Sequence, residues 1–373
     1  MAAADVIGSF TLPAYLEASE PPEARGLGRD DVRLLISQVD TGAIHHVRFR
    51  DLPRWLSPGD LLVVNTSGTL NAALTARSES GEEFELHLST RLPGNFWVVE
   101  IRRPGPVASL PCDDVKSGSV FELNGDSRVT LLAPYPLDGA LNAKARLWLA
   151  ALELTDPVLP YLERFGKPIR YKYVTGSWPS SMYQTVFATE PGSAEMPSAG
   201  RPFTPELVTR LVSSGIQIAP LLLHTGVASL EDPEPPYEEY FRVPPDTARR
   251  VTAVRRAGHR VIAVGTTVVR ALATVTDGQG TTFPGEGWTN LVITRDQPVR
   301  AVTGMITGFH EPRATHLAMV EQVIAAAGGA SPQLDEAYAE AKNAEYLWHE
   351  FGDSHLIIGR SPRSLQLGLR VRF

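Results

Sequence analysis

The chain has 373 residues, enough for two domains of ordinary size. Its net charge of −7 gives no sign of an extended surface for nucleic acid or an anionic membrane, and its single cysteine, Cys112, excludes an intrachain disulfide and a cysteine-based metal cluster. No apolar run approaches the roughly 20 residues of a membrane span, so we expect a cytoplasmic protein.

The first 155 residues contain two kinds of strand pattern. A compact apolar run at Leu34–Ile36, an alternating partner at Ile44–Phe49 and a buried run at Leu61–Asn65 precede a change of pattern. Short alternating segments then recur, separated by turn residues, which is typical of a small β-barrel. These segments are Leu70–Arg77, Glu83–Leu88, Phe96–Arg102, Val120–Leu123 and Arg128–Leu132.

From about residue 156 the pattern predicts helices alternating with strands. The predicted helices are Pro157–Arg164, Pro205–Ser214, Asp246–Ala257, Thr267–Thr274, Met319–Ala327 and Gln333–Trp348. The predicted strands are Ile216–Leu223, Val261–Val264, Asn290–Ile293, Val302–Ile306 and Leu356–Ile358. We therefore predict an α/β domain with a mostly parallel mixed sheet, made of residues 1–68 and 156–373, and an inserted small β-barrel domain at residues 69–155.

The segment Val261–Arg270 reads as a buried strand, a tight turn at Gly265 and a helix that starts near Thr266 and Thr267. Free N–H groups and the partial positive charge of a helix start favour a carboxylate or phosphate, and Arg270 could add a second contact. The spacing is neither a P-loop nor a dinucleotide fingerprint. The alternative is that Thr267 only caps the helix and Arg270 is solvated.

Two histidines are candidates for proton transfer. His224 follows an apolar strand, at the sheet edge where ligands collect in α/β folds, although it could instead be a core histidine bonded to the backbone. His310 lies in a polar loop between a strand and a helix, a position typical of an active-site wall. His310 and His316 have no third ligand at a recognisable spacing, so we expect no metal.

Three further segments carry candidate binding residues. Tyr183 and Gln184 alternate with apolar neighbours in a strand-like stretch, Ser198 and Gly200 lie in a loop of small residues that a flat ligand could approach closely, and Asp353 could hold a hydroxyl or a cation. Each of these segments could equally be an ordinary connection or turn.

The order of these motifs resembles the S-adenosylmethionine:tRNA ribosyltransferase-isomerase family of queuosine biosynthesis. The family's Ala-Val-Gly-Thr-Thr-Ser-Val-Arg-Thr-Leu agrees with this chain at nearly every position, and the resemblance covers nearly the whole chain. The matching segments are Tyr183–Ala188, Met196–Thr204, Leu223–Gly226, Ala263–Leu272, Thr307–Pro312 and Phe351–Asp353.

The resemblance implies an α/β domain with an inserted β-barrel and an enzyme that uses S-adenosylmethionine as a ribosyl donor. The family transfers the ribosyl group to 7-aminomethyl-7-deazaguanine in tRNA and forms epoxyqueuosine, with loss of adenine and methionine. It suggests His224 or His310 as the base and Glu239 or Asp353 beside the sulfonium. The methionine carboxylate would then bind Thr266, Thr267 and Arg270.

Several positions depart from the family pattern. The family's Asn-Asp-Thr-Arg-Val reads Asn65–Thr69 here, its Leu-His-Phe reads Arg201–Phe203, both histidines before Glu239 are gone, and Gly308 replaces an asparagine. This pattern indicates that donor binding is kept and acceptor binding is altered. The open alternatives are a paralogue acting on a small-molecule acceptor, a lyase, or a non-catalytic protein that binds a nucleoside or sulfonium.

Overall fold

The computed structural model describes residues 10–105, 108–136, 145–227, 237–312 and 314–360. In chain order the strands are β1 (Arg33–Gln38), β2 (Ala43–Arg48), β3 (Leu61–Asn65), β4 (Ser67–Thr69), β5 (Ala73–Ser78), β6 (Glu83–Arg91), β7 (Phe96–Arg103), β8 (Leu110–Pro111), β9 (Val120–Leu123), β10 (Ser127–Tyr135), β11 (Leu147–Glu153), β12 (Glu190–Ser193), β13 (Gln217–Leu223), β14 (Glu239–Val243), β15 (Val261–Val264), β16 (Gly285–Thr289), β17 (Gly304–Gly308) and β18 (Ser354–Ile358). The α-helices are α1 (Val158–Phe165), α2 (Pro205–Ser213), α3 (Pro245–Arg256), α4 (Thr266–Thr274), α5 (His316–Ala326) and α6 (Pro332–Asn343).

A nine-stranded sheet has the order β16-β14-β13-β3-β15-β17-β18-β1-β2. Four neighbouring pairs are parallel, namely β13–β3, β3–β15, β15–β17 and β18–β1, and the other four are antiparallel. The expectation of a mostly parallel sheet was therefore wrong in degree, although the mixed α/β architecture is confirmed. Antiparallel pairs arise where the chain returns directly, as in the β1–β2 hairpin, and where two successive helices, α5 and α6, separate β17 from β18.

The β-barrel is the second sheet. Strands β5, β6, β7, β11, β10 and β9 form a closed antiparallel ring because β7 pairs with both β6 and β11, and β8 adds to β7 outside the ring. The predicted inserted barrel is confirmed, with ring strands running from Ala73 to Glu153. The domain boundaries at residues 68/69 and 155/156 stay a prediction, and residues 1–9, 137–144 and 361–373 of the predicted domains lie outside the described residues.

The two faces of the large sheet explain why its central strands read as continuous apolar runs. In β15, Val261 and Ala263 pack with helices α3 to α6, whereas Ile262 and Val264 pack on the opposite face, which also buries α2. Because both faces are covered, an alternating pattern would leave polar groups without water. The barrel encloses a separate hydrophobic core.

Three local predictions differ from the structure. The strand-like stretch after Tyr183 follows a 3₁₀ turn and is irregular, because the Gln184 side chain bonds the backbone of Thr69 in place of a strand ladder. The segment Asn290–Ile293 is not a strand; the nearest strand, β16, ends one residue earlier. Helix α6 ends at Asn343, and Glu345 has the left-handed φ of 56° that stops a helix.

No helix within the described ranges has both the length and the apolar character that crossing a membrane requires. The cytoplasmic location stays a prediction.

Candidate active site

A cavity of about 500 Å³ lies at the carboxyl ends of the parallel strands β13, β15 and β17. The residues that follow these strands, Thr225 and Gly226, Gly265 to Thr267, and Phe309 to Glu311, line it. The barrel contributes Thr90 from its β6 strand. Parallel strands place their carboxyl ends at one edge, which is where ligands bind in open α/β sheets.

Helix α4 begins at the cavity wall. Gly265 has a φ of 96° and a ψ of 160°, a conformation that favours glycine, and its N–H bonds the carbonyl of Ile306 at 2.8 Å. No side chain caps the helix, and Thr266 and Thr267 line the cavity. The Thr267 hydroxyl instead accepts a hydrogen bond from the Asn65 amide at 3.2 Å. The uncapped first turn leaves N–H groups and partial positive charge for an anionic ligand group.

Arg270 and Glu239 form an ion pair in the cavity wall. Arg270 also donates to the carbonyls of Leu291, Tyr237 and Thr289 at 2.8–2.9 Å, so its guanidinium is committed largely to the protein. The sequence suggested instead that Arg270 could add a contact to a bound carboxylate or phosphate. Glu239 accepts the N–H of Gly226 at 3.0 Å, and burial raises the pKa of its carboxyl to about 7 although Arg270 pulls it down.

His310 faces the same cavity. Its Nε2 lies 2.8 Å from the Thr307 hydroxyl, its ring stacks on His316 at 5.0 Å, and its backbone N–H donates to the Tyr338 hydroxyl at 3.2 Å. Removal from water, followed by the charge of His316, lowers the pKa of the His310 imidazole well below its usual value. The ring is therefore neutral at pH 7, and if Nε2 carries the proton to Thr307, Nδ1 has a free lone pair.

His224 lies beside the cavity and is not one of its lining residues. Its Nδ1 is 2.7 Å from the Ser67 hydroxyl, which is 2.5 Å from Ser193, and its ring stacks on Tyr240. The ring also covers Gly192, where any side chain would collide with it. Burial lowers the pKa of His224. These contacts fit a histidine that joins β4, β12 and β13.

The four remaining binding candidates divide into two pairs. Tyr183 and Ser198 line the cavity, and burial raises the pKa of the Tyr183 phenol to about 12. Gln184 and Gly200 do not line it. The Gln184 amide hydrogen-bonds to both the N–H and the carbonyl of Thr69. A Cβ at Gly200 would lie 3.3 Å from the Thr185 side chain. The second pair thus supports the loops that carry the first.

Asp353 lies in an internal ion pair and does not line the cavity. Its carboxylate accepts the backbone N–H of Arg33 at 2.7 Å, the Arg33 guanidinium at 3.0 Å and the backbone N–H of Leu347 at 2.8 Å. The predicted role beside a sulfonium does not fit this placement, because the acid is already used to fasten β1 to the turn before β18.

Sequence reasoning missed a group of cavity residues that we name the aromatic–acid wall: Tyr171, Tyr173, His349, Glu195 and Glu350. Its three rings form a parallel stack, with centroids 5.6 Å apart between Tyr171 and Tyr173 and 3.9 Å apart between Tyr173 and His349. The two ends of the stack come from segments far apart in the chain, and neither segment has a motif that would have linked them.

Two of the positions that depart from the family pattern, Ser67 and Arg201, have internal partners, whereas Gly308 lines the cavity. Ser67 bonds His224 and Ser193. Arg201 pairs with Glu23, donates to the Met182 carbonyl at 2.9 Å, and lies 5.0 Å from the ring centre of Phe351. These side chains hold loops behind the cavity. Within the described ranges, no group of three or more His, Cys, Asp or Glu side chains could hold a metal ion.

Comparison with known proteins shows which family this chain resembles. The family model described as queuosine biosynthesis protein matches residues 8–357. An S-adenosylmethionine:tRNA ribosyltransferase-isomerase of Moorella thermoacetica is 36% identical over 363 residues, covering 94% of this chain and 98% of that protein, and one of Symbiobacterium thermophilum is 35% identical with the same coverage. A crystal structure of S-adenosylmethionine tRNA ribosyltransferase from Thermotoga maritima is 29% identical, covers 94% of this chain and 99% of that one, and has a TM-score of 0.49. The chain therefore belongs to the queuosine biosynthesis protein family.

Proposed function

We propose that this protein is an S-adenosylmethionine-dependent ribosyltransferase-isomerase that acts on 7-aminomethyl-7-deazaguanine in tRNA and forms epoxyqueuosine. The observation that carries the proposal is that a single cavity contains an uncapped helix start, a carboxylate and a neutral imidazole, supplied by α4, Glu239 and His310. These groups suit the three parts of a zwitterionic sulfonium donor, namely its carboxylate, its cation and its acidic C–H.

The donor would be held mainly by backbone groups. The methionine carboxylate would accept N–H bonds from the first turn of α4, beside Thr266 and Thr267, where the helix dipole favours negative charge. The sulfonium would lie near Glu239, which pairs with Arg270 and whose pKa burial raises to about 7. The flat adenine would approach Ser198 and Ala199, which line the same cavity as Gly265.

His310 is the base in this proposal. A positive sulfur makes the neighbouring 5′ carbon acidic, and a neutral imidazole whose lone pair faces the cavity can remove that proton. His310 lines the cavity and has a pKa well below its usual value, whereas the Nδ1 atom of His224 bonds Ser67 outside the cavity lining. The protein also supplies a site partly shielded from water and fixed positions for donor and acceptor, and no step of the proposal uses a metal.

The acceptor would enter as part of tRNA, which also places the enzyme in the cytoplasm. Because the net charge is −7, we infer that few phosphates are contacted and that base recognition in the cavity dominates. The names of the relatives from Moorella thermoacetica and Symbiobacterium thermophilum include tRNA as the substrate, which supports this acceptor.

The test combines the purified protein with S-adenosylmethionine and an anticodon stem-loop RNA that carries 7-aminomethyl-7-deazaguanine. Release of both adenine and methionine, with a matching mass increase of the RNA, is the expected result. A stem-loop with guanine at the same position is the control. Adenine release without RNA modification would indicate a lyase, and donor binding without turnover on this RNA would contradict the proposal.

A further inference from the structure

The aromatic–acid wall offers a flat, electron-rich surface in the cavity. Tyr171 and Tyr173 are parallel to within 7°, and Tyr173 and His349 to within 8°. Such a stack extends naturally to a further planar heterocycle, because offset parallel rings gain contact area and favourable quadrupole alignment. Base-on-aromatic stacking is also the usual way in which proteins hold an unpaired nucleobase.

Two carboxylates border this stack. The Tyr173 hydroxyl donates to Glu350, and the Tyr171 hydroxyl bonds Glu195. The backbone of Glu195 is fixed by the Thr225 hydroxyl, which donates to its carbonyl at 2.8 Å. The acids are thus placed at the ring edges, where a substituent on a stacked heterocycle would project.

Glu350 lies in the cavity wall beside the stack. Its carboxylate accepts the Tyr173 hydroxyl, and burial raises the pKa of this carboxyl to about 7, with a further increase from Glu195, although the Tyr173 hydrogen bond and the charge of Arg201 lower it. Nearby, Nε2 of His349 is buried without a hydrogen-bond partner, and the carboxylate of Glu17 lies 3.5 Å away. A cationic ligand group beside Glu350 would favour the ionised form of this carboxyl.

We propose that the aromatic–acid wall is the acceptor subsite, in which a flat heterocycle stacks on Tyr171 while Glu350 and Glu195 bind the protonated primary amine that it carries. This inference rests on the proposed function for the identity of the acceptor. It assigns the acceptor to a part of the cavity distinct from the donor groups at α4 and Glu239.

The electrostatics connect the two subsites. Repulsion from Glu195 raises the pKa of both Glu239 and Glu350, so Glu195 lies within electrostatic range of each acid. Glu195, Glu239 and Glu350 together favour a sulfonium and an ammonium, which would otherwise repel one another, in a cavity that Arg146, Lys172 and Arg270 also line.

The experiment uses two free bases, 7-aminomethyl-7-deazaguanine and 7-methyl-7-deazaguanine, which differ by the amine. Their dissociation constants are measured by titration calorimetry with the full-length protein saturated with S-adenosylhomocysteine. A charge-assisted hydrogen bond predicts that the wild type prefers the amine probe by about 10-fold to 100-fold. The variant Glu350→Gln should lose most of that preference, and Glu350→Asp should recover part of it.

The matched control is Glu153→Gln, an equal change of charge on the exposed face of β11, where Glu153 pairs with Arg128. It should keep the wild-type preference. A second variant, Tyr171→Leu, should weaken both probes by a similar factor of about 10, because it removes the stacking surface and leaves the acids. The affinity for S-adenosylmethionine should stay within about twofold of wild type in all variants, which also shows that they are folded.

Equal affinity of the wild type for the two probes would overturn the inference, as would a Glu350→Gln variant that keeps the preference. Loss of S-adenosylmethionine binding in folded Glu350→Gln would assign the wall to the donor and overturn it too. These results are separate from the proposed function, which fails if the wild type does not modify the stem-loop RNA. Amine preference without RNA modification would support the subsite and reject the tRNA reaction.

Discussion

The two candidate bases can be separated by substitution, because His310 lines the cavity and His224 does not. We expect His310→Gln to reduce the rate of adenine release by about 100-fold or more, since general base catalysis contributes roughly that much, while donor affinity changes little. Single-turnover assays with the modified stem-loop measure the rate, and calorimetry measures the affinity.

His224→Gln serves as the comparison. It should lower the melting temperature, because the ring joins β4 to β13 through Ser67 and covers Gly192, but the folded fraction should keep most of its rate. A large loss of rate in folded His224→Gln, with an active His310→Gln, would reverse the assignment.

Glu239 predicts a pH dependence of donor binding. Burial raises the pKa of its carboxyl to about 7, so this group is mostly protonated at pH 6 and mostly ionised at pH 8. A sulfonium favours the ionised form, so S-adenosylmethionine should bind more tightly as the pH rises toward 7, by up to about tenfold per unit, with proton release, and its affinity should level off above pH 7. Calorimetry in buffers of different ionisation enthalpy measures both the affinity and the number of protons released on binding.

The uncharged thioether S-adenosylhomocysteine is the control ligand, since it keeps the amino-acid group and lacks the sulfonium. Its affinity should depend much less on pH in this range. Glu239→Gln should flatten the curve for S-adenosylmethionine, whereas Glu350→Gln should not. Identical curves for the two ligands would rule out a sulfonium contact with Glu239.

Sequence alone identified residues that follow a strand or begin a helix, such as Gly265, Thr266 and His310. It could not identify Glu350, because nothing in the local sequence shows whether a glutamate in a connecting segment lines a cavity or faces solvent. It also overrated Asp353, since the contact that uses this acid comes from Arg33, 320 residues earlier in the chain. Side-chain partners that are distant in sequence decide such cases.

At the scale of elements, the turn between β15 and α4 sets the position of the donor site. Gly265→Ala would force a side chain into a φ of 96° and place its Cβ 3.4 Å from Ala199. We expect a loss of about 1–2 kcal/mol in the free energy of unfolding and a weaker affinity for S-adenosylmethionine. Chemical denaturation and calorimetry measure the two effects.

Gly278→Ala is the matched control, because a Cβ there meets nothing within 4 Å. That variant should bind the donor as the wild type does. If Gly265→Ala is destabilised but keeps its donor affinity, the first turn of α4 does not hold the carboxylate.

The elements themselves were largely predictable where burial imposes a simple pattern. The strand Val261–Val264 is apolar on both faces because helices cover both sides, and its continuous apolar run predicted this strand correctly. The direction of β18 could not be predicted from the sequence, since the number of helices between two strands does not fix which way the chain returns. The predicted strand at Asn290–Ile293 was wrong because the carbonyl of Leu291 accepts a hydrogen bond from the Arg270 side chain rather than from a neighbouring strand.

At the scale of the whole molecule, the cavity joins the barrel to the large sheet. Thr90 and Arg146 lie on the barrel side, and the donor groups lie on the sheet side. Donor at about 100 times its dissociation constant should stabilise the folded protein by roughly 2.7 kcal/mol. We expect calorimetric scans to show that the donor raises the unfolding temperatures of the barrel and the sheet together. A shift confined to one of two separate transitions would mean that the barrel takes no part in binding.

The pairing of β1 with β18 has a consequence for synthesis on the ribosome. The ring strands of the barrel occupy one continuous stretch, so the barrel can close while the rest of the chain is still being made. Strand β1 emerges before it, yet one of its two neighbours, residues 354–358, is translated about 320 residues later. At about 5–20 residues per second, β1 waits some tens of seconds with an open edge. An unpaired strand edge is prone to pair with other chains, so we expect the nascent sheet to be exposed to aggregation during this interval.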